Sequence, residues 1–142
     1  MEFSDLYSNR ILEIAGAARQ MPRLENPDAT ARKVSRVCGS VVEVDLKLDD
    51  GRVAAYGATV NACALGQTSA AIVAERIVGS TPRELRAVRD QMTAMLRADG
   101  VPPNGKWDDL KYLEPVRAFP ARHASTLLVF DAVVEALDKA GV

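Results

Sequence analysis

Aromatic side chains are scarce in this chain: three Phe, three Tyr and one Trp among 142 residues. That is too few to build the stacking platform on which single-stranded nucleic acid is read. Excess charge is missing as well. Lys and Arg number 18 against 19 Asp and Glu, a formal net charge of −1, so no global basic field draws the chain to nucleic acid or to an anionic lipid surface. No apolar run approaches the roughly 20 residues needed to span a bilayer, and the opening MEFSDLYSNR lacks the basic-then-apolar order of a secretory signal. Together these absences predict a cytoplasmic protein that engages neither nucleic acid nor membrane. Cysteine is limited to Cys38 and Cys63, which excludes a disulfide framework, and a reducing cytosol keeps such a pair as thiols.

What is present has the composition of an ordinary folded protein, 48% apolar and 26% charged with 9 Gly and 7 Pro, and not that of a disordered or fibrous chain. A length near 150 residues suits one globular unit, so residues 1–142 are expected to form a single domain. Apolar residues at Leu6, Tyr7, Ile11, Ile14 and Ala18 carry a helical period and predict a helix over residues 4–19. The stretch QMPRLENPDATARK that follows has two prolines and no period, and reads as a loop.

The period then changes to two. Val42, Val44, Leu46 and Leu48 alternate with Glu43, Asp45 and Lys47, the pattern of a strand with one wet face. Asp49-Asp50-Gly51 supplies a hairpin turn and Arg52–Val60 the returning strand. A third strand across Lys33–Val37 would complete an antiparallel meander. After Cys63, ALGQTSAAIVAERIV reads as a buried helix stopped by Gly79. Thr81-Pro82-Arg83-Glu84 is a helix start, with Leu85, Val88, Met92 and Met95 as its inner stripe and Gly100 as its end. Residues 101–119 look irregular around Trp107, with one helical turn at Asp108–Leu113, and Trp107 serves as an anchor for that loop. Pro120 opens a last helix that turns Leu127, Val134 and Leu137 inward. The class is therefore α+β: a three-stranded antiparallel meander with an N-terminal helix and C-terminal helices packed on one face.

Chemistry-bearing residues are few: Cys38 in VCGS, Cys63 in NACALGQ, the single histidine His123, and the hydroxyls of Ser40 and Ser125. The separation of the two cysteines matches no zinc-knuckle spacing, and a bland alternative is two small buried thiols and one half-exposed histidine. Placement favours a site. Cys38 falls at a strand end beside Gly39, Cys63 falls where a strand hands over to a helix, and His123 falls in the first turn of the last helix. Three elements could converge at one end of the sheet. The partial positive charge of a helix N-terminus favours a thiolate at Cys63, and a thiolate is both a soft metal ligand and a sulfur nucleophile. The scattered Arg19, Arg23, Arg32, Lys33 and Arg36 read as a solvated surface, with a docking edge as the alternative.

Cys38-Gly39-Ser40, then Ala62-Cys63 followed by ALGQTSAA, then FPARHASTLL from Phe119 to Leu128, form an order that resembles the U-type iron–sulfur cluster assembly scaffolds, the IscU, NifU and SufU group. In that family Cys-Gly-Asp follows the first strand, Gly-Cys opens a small-residue helix, and a third Cys stands at the start of the last helix. The segment from Gly100 with Phe119-Pro120-Ala121-Arg122 is most similar to the SufU branch, whose members take sulfur from a cysteine desulfurase and often hold zinc. The resemblance implies a NifU-like fold and a scaffold, not an enzyme, that holds iron, zinc or a [2Fe–2S] cluster and passes it to acceptor proteins. It implies Cys38, Cys63 and His123 as ligands, with Ser40 and Ser125 as weaker candidates. Two alternatives stand beside this: a persulfide acceptor in which Cys63 takes sulfur from the desulfurase, and a degenerate module that regulates the same machinery through contacts. The departures matter. The family's Asp is Ser40 here, and the third Cys aligns without a gap on Ser125, or on Ala124 if His123 is matched to the His-Cys pair of the IscU branch. One thiolate is absent either way, while a [2Fe–2S] cluster generally takes four ligands, mostly thiolates.

Overall fold

The computed structural model describes residues 8–17, 21–37 and 39–142. Helix α1 spans Asn9–Ala17, and the strands β1 (Ala29–Val34), β2 (Val41–Asp49) and β3 (Arg52–Asn61) follow. Then come α2 (Ala64–Arg76), α3 (Pro82–Arg97), a 3₁₀ segment Gly105–Ala118, a 3₁₀ turn Pro120–Arg122, and α4 (His123–Ala140). The sheet is antiparallel in the order β1-β2-β3. Asp49 faces Arg52 across a two-residue turn, and its central residues Asp50 and Gly51 both have positive φ, 53° and 74°. That pair of angles matches the twist of the flanking strands, which is why Asp-Gly signals a hairpin.

The alternation along β2 sends Val42, Val44 and Leu46 into the core, each at 1% exposure or less. Helix α4 packs against β1, β2, α2 and α3, burying Leu127, Leu128, Val129, Phe130 and Leu137 among others. Each such side chain removed from water contributes about 1.5–3 kcal/mol before conformational entropy is set against it. Helix α3 is capped as its sequence predicts: Thr81 Oγ1 accepts the Glu84 N–H at 3.1 Å, with Pro82 in the first turn. Its stripe Leu85, Val88, Met92 and Met95 is buried. No helix among the described residues is long and apolar enough to cross a membrane.

Several elements differ from their sequence pattern, each for a local reason. Helix α1 begins at Asn9 and buries Ile11; Leu6, Tyr7 and Ala18 of the expected stripe lie outside the described residues. Strand β1 starts at Ala29, inside the stretch read as a loop, and shares only Lys33 and Val34 with the expected Lys33–Val37 strand. Its inward residues are Ala29 and Ala31, too small to register as alternation, and pairing with β2 fixes it as a strand. Helix α3 ends at Arg97, and the left-handed residue is Asp99 at φ 52°, not Gly100. Gly100 is needed for closeness instead: a Cβ there would stand 3.0 Å from the Ala94 Cβ. The region expected to hold one helical turn is 3₁₀ over 14 residues. Trp107, Leu110, Leu113 and Val116 are all buried there, and their spacing of three is the 3₁₀ period, which a search for 3.6 does not register. Trp107 does anchor this segment, donating from Nε1 to Glu84 Oε1 at 3.3 Å.

The opposite face of the sheet is covered by the segment that enters β1. Met21 bridges to Ala58 of β3, and a Cβ on Gly57 would lie 2.5 Å from the Pro22 carbonyl oxygen, so the chain passes over β3 only because residue 57 has no side chain. An ion pair fixes this passage. Asp45, 1% exposed, accepts from Arg23 Nε at 2.5 Å and Nη2 at 2.8 Å, from Thr30 Oγ1 at 2.6 Å and from the Leu24 N–H at 3.0 Å. Arg23 also pairs with Glu43. Arg23 is thus tied to the sheet while staying exposed, as its sequence context suggested. Arg32 and Arg36 are exposed as expected, Lys33 lies 3.7 Å from Glu135, and Arg19 lies outside the described residues.

The Arg23 guanidinium, against the opposing effect of burial, holds the Asp45 carboxyl down at about 2 from its ordinary 3.8. A depressed folded-state value means that this stabilisation is complete above about pH 4 and is lost as pH falls towards 2. Asp45→Asn is therefore expected to cost about 2 kcal/mol near neutral pH and to flatten the acid limb of the stability profile, as read by urea denaturation at a series of pH values. Tyr56 gives a contrasting expectation. Its buried hydroxyl has no hydrogen-bond partner among the described residues, and burial, reinforced by the charge of Asp45, pushes its ionisation well above the ordinary range. Tyr56→Phe removes an unsatisfied polar atom and should leave stability unchanged or raise it by up to about 1 kcal/mol; a clear loss in the same denaturation experiment would show that the hydroxyl is satisfied in solution.

Candidate functional site

One end of the sheet gathers the pieces. Val34 pairs with Val41, and Val41 with Asn61, so the turn over residues 35–40 and the exit from β3 lie in one row. That turn is closed by the Ser35 N–H donating to the Ser40 carbonyl and the Gly39 N–H donating to the Ser35 carbonyl, both at 2.8 Å. Gly39 takes a positive φ of 71°, a conformation that favours glycine. Ser40 is buried. Cys38 lies outside the described residues.

Two residues beyond β3, Cys63 occupies the N-cap of α2 with extended backbone. Its carbonyl accepts the Gln67 N–H at 2.9 Å, while the Gln67 side-chain amide donates to the Ala62 carbonyl at 3.0 Å. The thiol is half-buried and free. Helix α2 presents small residues at its start, and this decides what Cys63 meets. A Cβ on Gly66 would stand 2.8 Å from the Ala62 Cβ and 3.2 Å from the Ser125 carbonyl oxygen, so the missing side chain lets the first turn of α2 rest on the first turn of α4. The Cys63 thiol then donates to Ser125 Oγ at 3.8 Å. Ser125 is itself buried and donates to the Arg122 carbonyl at 3.2 Å, a carbonyl that also accepts from Thr126 Oγ1 at 2.8 Å.

His123 is differently engaged. It is buried at 7% exposure rather than half-exposed, and Nε2 lies 3.0 Å from the Val116 carbonyl and 3.2 Å from the Arg117 carbonyl. Two acceptors facing one ring nitrogen assign the proton to Nε2. The imidazole thereby ties the end of the 3₁₀ segment to the start of α4, and only Nδ1 is left for a ligand. Of the residues singled out by sequence, the fold brings Cys63 and Ser125 into contact, sets the turn containing Ser40 at the same end of the sheet, and commits one nitrogen of His123 to backbone. Ser125, the gap-free match from Phe119-Pro120, faces Cys63; Ala124 offers no polar side-chain atom. Among the described residues no three His, Cys, Asp or Glu side chains are grouped to hold a metal ion. Among the described residues this contact supplies one thiol and one hydroxyl, where a [2Fe–2S] cluster generally takes four donors, mostly thiolates. Sequence reasoning did not single out Gly66 or Gln67; the signal for both lay in the small-residue run ALGQTSAA.

Comparison with known proteins bears on this arrangement. No protein-family model matches the chain. The crystal structure of a nitrogen-fixing NifU-like protein (N-terminal) from Brucella abortus is similar with a TM-score of 0.94 and 48% identity, over 97% of this chain and 96% of that one. The iron–sulfur cluster assembly scaffold protein IscU of Thermotoga maritima is 26% identical over 139 residues, 98% of this chain and 97% of that protein. The crystal structure of FiSufU from Fervidobacterium islandicum shares the fold, with a TM-score of 0.86 at 19% identity over 96% of this chain and 99% of that one. Nearly half of the residues are thus shared along almost the whole length of a NifU-like structure, and the chain belongs to the IscU/NifU-like scaffold family.

The role of His123 as a tie gives a stability expectation. His123→Ala removes the donor shared by two carbonyls and should lower stability by about 1–3 kcal/mol, measured as a shift in the urea midpoint. His123→Gln, which can still donate, should recover part of that loss.

Proposed function

We propose that this chain is an iron–sulfur cluster assembly scaffold, carrying iron, zinc or a cluster as cargo at the end of the sheet that bears the 35–40 turn and the exit to Cys63. The observation that supports this most directly is the free Cys63 thiol at the head of α2, half-buried and in contact with a residue of α4, in a chain so similar to a NifU-like protein. Cys63 and Cys38 are the proposed thiolate ligands. His123 is the proposed nitrogen ligand, through the Nδ1 that its backbone contacts leave over, and the hydroxyls of Ser40 and Ser125 are the weaker candidates. A [2Fe–2S] cluster or iron is the proposed cargo, with zinc as the alternative, and another molecule would complete the donor set. The reading includes a cysteine desulfurase as sulfur source and cluster-acceptor proteins as recipients. The chain's part is to hold and release, not to turn over a substrate.

The sulfur-acceptor reading is a second proposal, favoured by the partial exposure of Cys63. In that step the Cys63 thiolate attacks the outer sulfur of a desulfurase persulfide. The old S–S bond breaks, a new one forms on Cys63, and the desulfurase cysteine leaves as a thiolate. Both readings meet one set of experiments. Anaerobic reconstitution with ferrous iron and sulfide should give labile visible absorbance in the wild type that Cys63→Ala and Cys38→Ala each abolish; full absorbance in either variant overturns its assignment as a ligand. Incubation with a cysteine desulfurase and cysteine, without iron, should add one sulfur by intact mass if the relay operates, and Cys63→Ala should lose that gain.

A further inference from the structure

We infer that the outer edge of β1 is a docking edge for an extended acidic segment of a partner protein, which adds itself to the sheet as a further strand beside Arg32 and Val34. This edge is a property of the sheet and goes beyond the cargo reading above.

Register decides which backbone groups are free. The Ser35 N–H donates to the Ser40 carbonyl, and hydrogen-bonded pairs alternate along an antiparallel ladder. Ala29, Ala31 and Lys33 therefore bond to β2, while Thr30, Arg32 and Val34 turn their N–H and C=O groups outward. Lys139 of α4 donates from Nζ to the Thr30 carbonyl at 3.2 Å. At Arg32 and Val34 nothing among the described residues supplies a backbone partner on that side. The far edge of the sheet is treated differently. On β3 the Val53 N–H donates to the Ser80 carbonyl at 2.9 Å, the Val53 carbonyl accepts from Gly79 at 2.8 Å, and the Ala58 N–H donates to the Met21 carbonyl at 3.3 Å. One edge is thus covered by the chain itself and the other is left open, and an open row of donors and acceptors is a template for another strand.

Side chains choose the occupant. Arg32 and Val34 are exposed, Val34 at 47%, and the turn that follows exposes Arg36 and Val37, the latter at 69%. The neighbouring cations are already paired, Lys33 with Glu135 and Arg23 with Glu43 and Asp45. Arg32 and Arg36 have no carboxylate partner among the described residues. Two free guanidiniums interleaved with valines complement carboxylates that alternate with an apolar residue. A second copy of this chain does not complement them. In each antiparallel register centred on the free groups of β1, Arg32 meets Arg32, Lys33 meets Lys33, or Arg32 meets Arg36, and like charges directly opposite destabilise a strand pair. Position gives the edge its use: β1 runs straight into the 35–40 turn, in the row from which β3 leads to Cys63, so a segment docked here brings its owner to the thiol-bearing end of the sheet.

The test uses a short peptide, blocked at both ends, in which glutamate, valine and glutamate alternate with threonine. It is added to the full chain kept reduced, and backbone amides are followed by NMR shifts and hydrogen exchange. A second peptide carries lysine in place of glutamate, and a third is the acidic peptide N-methylated at its glutamate and valine residues, which keeps the charge and loses the strand donors. The acidic peptide should shift and protect the Arg32 and Val34 amides, and each of the other two should bind at least about tenfold more weakly. Reversing the charge with Arg32→Glu and Arg36→Glu together should turn the preference towards the lysine peptide. Val34→Pro removes an outward N–H without touching a bond to β2 and should weaken the acidic peptide; circular dichroism confirms folding, and the charge-reversed protein decides the matter if the proline variant does not fold. The inference is overturned if the Arg32 and Val34 amides do not respond, if N-methylation costs nothing, or if the charge-reversed protein binds the acidic peptide as wild type does. Concentration-dependent dimerisation without peptide, with protection of the same two amides, would make a second copy the occupant and overturn it as well.

Discussion

The arrangement depends on one close approach, the first turn of α2 lying on the first turn of α4 with no side chain between them at Gly66. Any Cβ at that position would collide with Ala62 and press on the Ser125 carbonyl, and in a close-packed interior a collision of this kind displaces whole helices. Because the turns touch, a cysteine and a serine 62 residues apart in sequence become neighbours. The His123 tie to the Val116 and Arg117 carbonyls fixes the other side of the same junction, so α4 enters the core at a defined angle and register.

The sheet contributes by being held on both faces. Helix α4 covers one face with a nearly continuous apolar surface. On the other, the segment running from Met21 into β1 is held by a buried carboxylate and an arginine. A buried charge left alone is expensive, and four donors converging on Asp45 offset that expense. This network lies on the face away from α4, so it acts on the site only through the rigidity of β2 and β3, whose common end carries the 35–40 turn and the approach to Cys63.

The chain shares its frame with a NifU-like structure along almost its whole length. The turn before β2, the helix opened by Cys63 and the start of the last helix follow one another along the chain, with serine at positions 40 and 125. Both serines are buried, so neither is a solvated surface position. A hydroxyl is nearly isosteric with a thiol and can keep a hydrogen-bonded geometry while giving up most of a thiolate's affinity for metal.

The sequence by itself determined the elements whose signals are local. The β2–β3 hairpin followed from alternation and Asp50-Gly51, and the start of α3 from Thr81, Pro82 and Glu84. Cys63 at a helix start followed from the small-residue run behind it. These are decided by backbone angles and hydrogen bonds within a few residues, which composition and spacing encode directly. What the tertiary structure alone decided required contact between distant segments. The strand character of Ala29–Val34 comes from pairing with β2, because its alanines bury too little surface to announce themselves. The pairing of the exposed Arg23 depends on the position of Asp45. The choice of Ser125 over Ala124 as the neighbour of Cys63 depends on the rotation of α4 about its own axis, where one residue shifts a side chain by about 100°. Only packing against α2 and the sheet fixes that angle.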